Sequence, residues 1–259
     1  MGTRKKMMNK MSVLVKSGFF STYRDSATVI FSFLFPTAIL YVFSLIALTM
    51  PASSSSAYIE GLVPAVMAFG IGFSACFAAA NTLRSWRQDD VLRVLWLMPV
   101  SPFTIAFSRL IVAMVTAIGQ TLLLLVCAVY GGLHFTPSAH WWLFLFALCF
   151  GVPAFFSIGL IIGNWVDSQE LLTTLMNILF IFMGVLSGVF FPLTEAPKWL
   201  VQVSNFIPLT YLRKLLEAAV STGTELSTRQ IEFAALLLIG IAIVFFCIIA
   251  KTLRWIKKR

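Results

Sequence analysis

Charged side chains are scarce in this sequence. Only 11% of its 259 residues are charged, whereas 59% are hydrophobic and the mean hydropathy is +0.94. A soluble domain carries about a quarter charged residues, so the composition excludes a soluble globular protein and indicates an integral membrane protein. The net charge of +9 does not indicate nucleic-acid binding, because the basic residues are concentrated at the termini and in one internal loop.

Catalytic and metal-binding motifs are lacking as well. The sequence contains no G-x-x-x-x-G-K-[ST], H-E-x-x-H or G-x-S-x-G pattern, and Asp167 and Glu170 fall in a short polar turn rather than inside a span. His134 and His140 have no acid or cysteine nearby, and the four cysteines lie singly in apolar runs. We therefore expect no catalytic residue and no metal site, so uphill transport would need energy from a partner.

Long apolar runs, by contrast, are abundant. Six of them are long enough to cross a bilayer as helices, which predicts an all-α integral membrane protein with one transmembrane domain over residues 1–259. The first run is too long for the apolar region of a signal peptide and too far from the basic start, so we expect it to be a mature span. The predicted spans are 29–50, 62–83, 104–130, 141–166, 171–191 and 233–250.

Two shorter segments have amphipathic helical spacing. Residues 8–24 place apolar side chains on one face and predict an interfacial helix, with a loosely ordered basic tail as the alternative. Residues 84–98 lie between the second and third spans, with Asp89 and Asp90 where the first turn of a helix favours acids, and Arg93 follows Asp89 by four residues. We expect a short amphipathic helix here; the alternative is a loop lying on lipid. The serines at 53–56 predict a polar loop.

A proline-bounded segment follows the fifth span. The chain breaks at Pro192 but stays hydrophobic up to Pro208, a length too short to cross the membrane again. Irregular backbone at membrane depth requires surrounding protein or water, so residues 192–208 are expected to be re-entrant and to line or close a path. A structural plug is the alternative. Gly184 and Gly188, just before, form a GxxxG pair that permits close helix packing.

The distribution of basic residues predicts the orientation. With six spans and cytoplasmic N- and C-termini, 15 of the 19 basic residues fall on the cytoplasmic side. Arg109 is among them and lies near the start of the third span, where it either snorkels to the surface or serves as a functional intramembrane charge. The outer side holds Lys198, Arg213, Lys214 and Arg229.

These elements carry a family resemblance. Six spans, an amphipathic helix ending in LMPVSP, and the later stretches LSGVFFPLTEAPKWL and NFIPLTYLRKLLE resemble the membrane subunits of ABC exporters of the type-2 permease family. That family includes the daunorubicin-type drug exporters and the polysaccharide and teichoic acid exporters. The resemblance covers nearly the whole chain, and its most specific part is 186–216.

The resemblance implies a function and partners. It implies a permease subunit that moves an amphipathic substrate, such as a drug-like compound, a lipid or a lipid-linked glycan, by alternating access across the cytoplasmic membrane of a prokaryote. The permease would pair with an identical or related chain within membrane lipid and bind two copies of a separate ATPase. Mg-ATP would be bound there, so this chain itself would carry no cofactor and would not be an enzyme.

The resemblance also implies roles for particular residues. The interfacial helix and residues 84–98 would contact the ATPase and transmit its closure, and the segment after span five would gate exit at the outer face. The implied coupling residues are Arg84, Arg87, Asp89, Val91, Leu92, Arg93, Leu95 and Trp96. The implied gate residues are Phe190, Phe191, Pro192, Pro197, Trp199, Phe206 and Pro208.

Two other functional classes stay open at the level of sequence. One is a membrane-embedded enzyme acting on lipids, with His134, His140 or Glu195 at the outer face, although no convergent set of acids and bases is visible. The other is a channel or scaffold that needs no energy source. A neighbouring ATPase gene would distinguish that class from the exporter.

Overall fold

The regular structure of the chain is helical within the residues that its structure, a computed structural model, describes. Every regular element within those residues is a helix, so the predicted all-α class is confirmed. This agrees with the demand of a lipid environment that backbone N–H and C=O groups be paired within each segment. The described residues are 13–20, 23–24, 30–88, 102–133, 135–137, 140–190, 196–221 and 227–252.

Nine helices are numbered here in chain order within the described residues. A π-helical stretch, Ile30–Leu34, leads directly into the second of them. The helices are α1 (13–20), α2 (Phe35–Ala47), α3 (Ala52–Gln88), α4 (Pro102–Tyr130), α5 (Trp141–Trp165), α6 (Gln169–Leu186), α7 (Lys198–Ser204), α8 (Pro208–Val220) and α9 (Thr228–Thr252).

Within the described part of the chain, five helices, α3, α4, α5, α6 and α9, are long and apolar enough to cross a membrane. The first predicted span, 29–50, corresponds to the apolar segment Ser32–Ala47, which at 1.5 Å per residue is about 24 Å long and shorter than a typical hydrocarbon core. We call the end of the bundle that carries Arg87 the basic end, and the end that carries Glu60 the distal end.

The central helix is α3. Within its most apolar window 94% of the residues are buried, whereas the corresponding share is 17% in α9 and 28% in α6. A helix that is covered on all sides needs no polar face, which explains why α3 shows no amphipathic pattern. The predicted serine loop at 53–56 is wrong: the backbone N–H groups of Ser54 and Ser55 both donate to the carbonyl of Pro51 at 2.9 Å, so the helix includes these serines and starts well before the predicted span at 62.

Small residues let α3 and α5 approach each other closely. A Cβ built on Gly159 would overlap the carbonyl oxygen of Cys76, and one on Gly163 would overlap that of Ala80. Residue numbers rise together at both contacts with a constant offset of 83, so the two helices are parallel and in register. Close backbone approach at small residues is the usual way in which membrane helices gain van der Waals contact.

Candidate functional site

A buried arginine joins the end of α3 to the turn between α5 and α6. The Nη1 of Arg87 donates to the carbonyl oxygen of Asn164 at 2.5 Å and to that of Gly163 at 3.3 Å. Its Nη2 lies 2.7 Å from Oδ1 of Asp167. The Arg87 side chain is only 5% exposed, whereas that of Asp167 is 61% exposed.

This arrangement satisfies the C-terminal end of α5. The last carbonyls of a helix have no partner within the helix, and a cation placed there also interacts favourably with the helix dipole. Arg87 supplies both the hydrogen-bond donors and the positive charge. The next helix starts at once, since the Oγ of Ser168 accepts a hydrogen bond from the backbone N–H of Leu171 at 3.0 Å. We call Arg87, Asp167 and the two carbonyls of Gly163 and Asn164 the Arg87 latch.

Two of the predicted coupling residues, Arg84 and Arg87, belong to α3 itself. The structure continues α3 through Gln88, so these two do not belong to a separate short helix starting at 84. Gln88 extends the contact, because its side-chain amide donates to the carbonyl of Asp167. The remaining predicted coupling residues, Asp89, Val91, Leu92, Arg93, Leu95 and Trp96, lie outside the described residues.

Arg109 links three elements near the same end. Its guanidinium carbon lies 5.2 Å from the centre of the Trp86 ring, which is a cation–π geometry. A Cβ on Gly18 of α1 would come within 3.0 Å of Arg109 Nη1, so α1 packs closely against this side chain. Beside Arg109 is a small pocket of about 20 Å³, lined in part by Ser74 and Thr116, which is about the space one water needs.

Hydrogen bonds fix the turn between α7 and α8. The hydroxyl of Tyr211 donates to the carbonyl of Asn205 at 2.6 Å, and the hydroxyl of Thr210 donates to the carbonyl of Ser204 at 2.7 Å. Pro208 is the first residue of α8, where the missing N–H of proline costs no helical bond. Both hydroxyls thus hold the end of α7 against the start of α8.

The contacts of α8 show that its two ends lie at different depths. Leu212 lies against Gly151 of α5, whose added Cβ would be 2.5 Å from a Leu212 methyl group. The hydroxyl of Ser221 donates to the carbonyl of Glu60 of α3 at 2.7 Å. The constant offset of 83 between α3 and α5 places Gly151 beside the α3 residue that follows Glu60 by eight positions. Eight helical residues rise about 12 Å, so Leu212 lies about 12 Å further from the distal end than Ser221.

Charges lie along the partly covered side of α8. Arg213 pairs with Glu217 at 3.0 Å, one turn along the helix.

A sequence model of the ABC-2 type transporter matches residues 9–220. The chain belongs to the ABC-2 type transporter family. The match includes α8 and stops before α9. A search of curated proteins gives no match.

Membership fixes the broad role of the chain. An ABC-2 type transporter domain is the membrane component of a transporter and is not itself catalytic, and the family implies partnership with an ABC ATPase subunit. The family and the apolar helices together make this a multi-pass membrane protein. Among the described residues, no group of three His, Cys, Asp or Glu side chains lies close enough to hold a metal ion.

The predicted gate residues of this ABC-2 type transporter do not form one cluster. Phe190 is packed inside, with its ring 5.4 Å from that of Phe43 and 5.5 Å from that of Phe69. Trp199 on α7 and Phe206 after it are instead 61% and 87% exposed. The other predicted gate residues within the described ranges are Pro197, which precedes α7, and Pro208; Phe191 and Pro192 lie outside the described residues.

Gly184 and Gly188 do not form a helical GxxxG pair. α6 ends at Leu186, and Gly188 has φ +78°, a left-handed conformation that favours glycine after a helix. The N–H of Val189 donates to the Gly184 carbonyl at 3.0 Å and closes this cap. A Cβ on Gly184 would lie 2.5 Å from the Phe190 ring, so Gly184 makes room for an aromatic side chain of its own connection. A role of either glycine in close packing between helices stays a prediction.

The sequence interpretation missed the Arg87 latch. The sequence places Asp167 in a short polar turn, and the side chain is indeed exposed, but its partner is a buried arginine 80 positions away. A signal was present in part: Gly159 and Gly163 form a true GxxxG pair on α5, and Cys76 and Ala80 repeat the spacing of four on α3. Matching these two stripes would have placed Arg87 beside the end of α5.

Proposed function

We propose that this chain is one permease of a dimeric, ATP-driven exporter that moves an amphipathic substrate across the cytoplasmic membrane by alternating access. The observation that carries the proposal is the Arg87 latch. It connects the end of α3, two positions before the segment 89–101, with the turn joining α5 and α6, over a sequence separation of 80 positions. A movement of that segment is therefore transmitted to α3, α5 and α6 together.

The basic end is the cytoplasmic end in this proposal. Arg84, Arg87 and Arg109 lie at or beside it, in keeping with the preference of basic residues for the cytoplasmic side. The ATPase, in two copies with bound Mg-ATP, docks there on α1 and on residues 89–98. The short segment Ser32–Ala47 is the sixth crossing. The bilayer becomes locally thinner around it, at a modest cost in free energy.

The distal end is the exit, with α7 and α8 as a re-entrant gate. The depth difference along α8 supports this, because Leu212 lies well inside the bundle while Ser221 lies near its end. Nine of the 13 residues of α8 are buried. A half-helix of this kind is tolerated at membrane depth because protein surrounds it. The exposed Trp199 and Phe206 of the α7 segment face lipid or a second permease.

The first test is purification of the full-length chain from its native cell, followed by identification of stoichiometric partners and an ATPase assay. We expect an ATPase with a phosphate-binding loop to co-purify and to be lost when Val91 or Leu95 is changed to Asp. Val201→Asp, a change of the same chemistry on α7 at the other end, is the control and should retain the ATPase. Recovery of the chain alone, or equal ATPase recovery from all three variants, would overturn the coupling role.

Orientation is tested separately with single cysteines in a background without the four native ones. A cysteine at Ser54, exposed at the start of α3, should react with a membrane-impermeant maleimide added to intact cells. A cysteine at Gln88, exposed at the other end of the same helix, should react only after the cells are opened. The reverse pattern would contradict the assignment of the basic end to the cytoplasm.

A further inference from the structure

A cavity of about 430 Å³ opens at the distal end, between the C-terminal end of α2, the first turns of α3 and the loop after α4. This volume lies within the range of small-molecule binding sites in proteins. The gate segment of α7 and α8 does not contribute to its walls, and neither does the Arg87 latch. The cavity is therefore a site distinct from the gate segment and from the Arg87 latch.

The chemistry of the walls is mixed. Ile59, Leu133 and Phe135 offer apolar surface, while Tyr41 and Thr136 contribute hydroxyl groups. Such a combination suits a ligand that has an apolar body and a few polar groups.

Charge is the most selective feature of the cavity. Among the described lining residues Glu60 is the one charged side chain, and it lies on α3 one helical turn after Ser56. A carboxylate on a partly apolar wall attracts a cation more strongly than it would in open water, because the surroundings screen the charge less. The same carboxylate repels an anion. The walls therefore select by the sign of charge.

Specific contacts hold the described residues of the loop after α4 that line the cavity. Phe135 is only 3% exposed, and its backbone N–H donates to the carbonyl of Ala128. Gly132 has φ +86°, so the chain turns there through a conformation that glycine adopts without strain. A Cβ on Gly131 would overlap the hydroxyl of Tyr41, which shows how closely α2 approaches this loop.

We propose that this cavity binds a small amphipathic organic cation, with Glu60 as its counter-charge. A divalent metal ion is a poor occupant, because such ions take several oxygen ligands with more than one carboxylate, and the described residues contain no group of three metal-binding side chains. The inference rests on the proposed export function for its biological meaning: the cation is then a cargo held on the exit side. Binding itself can be measured without any ATPase.

The test uses tetraphenylphosphonium as probe and the purified full-length chain in detergent, with tetraphenylborate, of similar shape and opposite charge, as the comparison ligand. We expect saturable binding of the cation, weak or no binding of the anion, and a loss of affinity of about tenfold in Glu60→Gln, as befits removal of one partly screened charge pair. Glu232→Gln is the matched control, since Glu232 is exposed on α9 and does not line the cavity. Equal affinity of both variants would overturn the role of Glu60.

A second pair of variants tests the cavity without changing charge. Ser55→Phe places a large ring inside the cavity, whereas Ser54→Phe places it on the neighbouring exposed position that does not line the cavity. We expect tetraphenylphosphonium affinity to fall at least tenfold in the first and to stay within twofold of the unchanged chain in the second. Undiminished binding in Ser55→Phe, or equal binding of the cation and the anion by the unchanged chain, would overturn the proposal. Failure of the ATPase to co-purify would instead contradict the export function and leave this result standing.

Discussion

The backbone of Gly159 lies directly against the carbonyl oxygen of Cys76, with no room for even a methyl group between them. Four residues further along each helix the same relationship recurs between Gly163 and Ala80. Because these are backbone contacts, no side-chain rotation can relieve a change there. α3 and α5 therefore behave as one rigid unit, and the Arg87 latch closes that unit at its basic end.

Gly159→Ala should separate α3 from α5. The added methyl group would meet backbone, which can only shift, so we expect a loss of about 1–3 kcal/mol in the free energy of unfolding. The measurement is thermal unfolding of the detergent-solubilised chain. Gly240→Ala is the control, because a Cβ on Gly240 of α9 meets nothing within 4 Å and alanine is the better helix former. Similar unfolding temperatures for both variants would contradict the close packing.

Arg87→Ala should uncouple ATP hydrolysis from transport. The change leaves the carbonyls of Gly163 and Asn164 without their partner at a buried site, which costs roughly 2 kcal/mol and loosens the α5–α6 turn. Asp167→Asn should have a small effect, since Asp167 is largely exposed and such ion pairs contribute little. The measurement is substrate transport per ATP hydrolysed, with the exposed Arg229→Ala as control. An effect of Asp167→Asn as large as that of Arg87→Ala would show that the ion pair, rather than the carbonyl contacts, holds the turn.

Arg87→Lys separates charge from geometry at the same position. A lysine keeps the positive charge, but its single ammonium lacks the planar fork that reaches Asn164 and Asp167 together. We expect transport between that of the unchanged chain and that of Arg87→Ala. Full transport in Arg87→Lys would mean that charge alone is sufficient.

Tyr211→Phe should loosen the connection between α7 and α8. It removes the hydrogen bond from the Tyr211 hydroxyl to the Asn205 carbonyl, worth about 1 kcal/mol, and leaves that carbonyl without this donor. Hydrogen–deuterium exchange should become faster in residues 198–220 and stay unchanged in α4. Tyr130→Phe, at a side chain that is 84% exposed, is the control. Unchanged exchange in 198–220 would exclude a contribution of this bond to gate stability.

Gln120→Leu should leave the chain as stable or make it more stable. Gln120 is fully buried on α4, and neither atom of its amide has a hydrogen-bond partner among the described residues. Replacing an unsatisfied polar group by an apolar one of similar size removes a desolvation cost of about 1–3 kcal/mol. Thr121→Val, which deletes a hydroxyl bonded to the Ala117 carbonyl, should be slightly destabilising in the same thermal assay. A less stable Gln120→Leu would mean that the amide is paired in the protein in the membrane.

Hydropathy alone predicted most of the helices, because lipid leaves a spanning backbone few alternatives to helix. The prediction of a span over 141–166 lies within one residue of α5 at Trp141–Trp165, and that over 104–130 lies close to α4 at Pro102–Tyr130. Helix ends were less predictable where polar residues or glycine decide them. α3 extends ten residues before the predicted start at 62, and Gly188 ends α6 before the predicted 191.

The functional contacts were less predictable than the helices because they join distant parts of the chain. The family resemblance implies a coupling role for Arg87, but nothing near it in the sequence indicates Asp167 as partner. Glu60 is not among the predicted site residues, since a single acid beside an apolar run looks like an ordinary interfacial residue. Its significance depends on the loop around Gly132, which closes the cavity only in the folded chain.

The parallel pairing of α3 and α5 also sets an order of events during synthesis. α3 leaves the ribosome 83 residues before the part of α5 that covers its small-residue stripe. At a translation rate of about 5–20 residues per second, the stripe stays uncovered for roughly 4–17 s before α5 is synthesised. Throughout that interval the most buried helix of the finished protein faces lipid or the insertion machinery. Substitutions along the stripe should therefore reduce the yield of newly made protein, through degradation of unpaired chains, even where the assembled bundle would tolerate them.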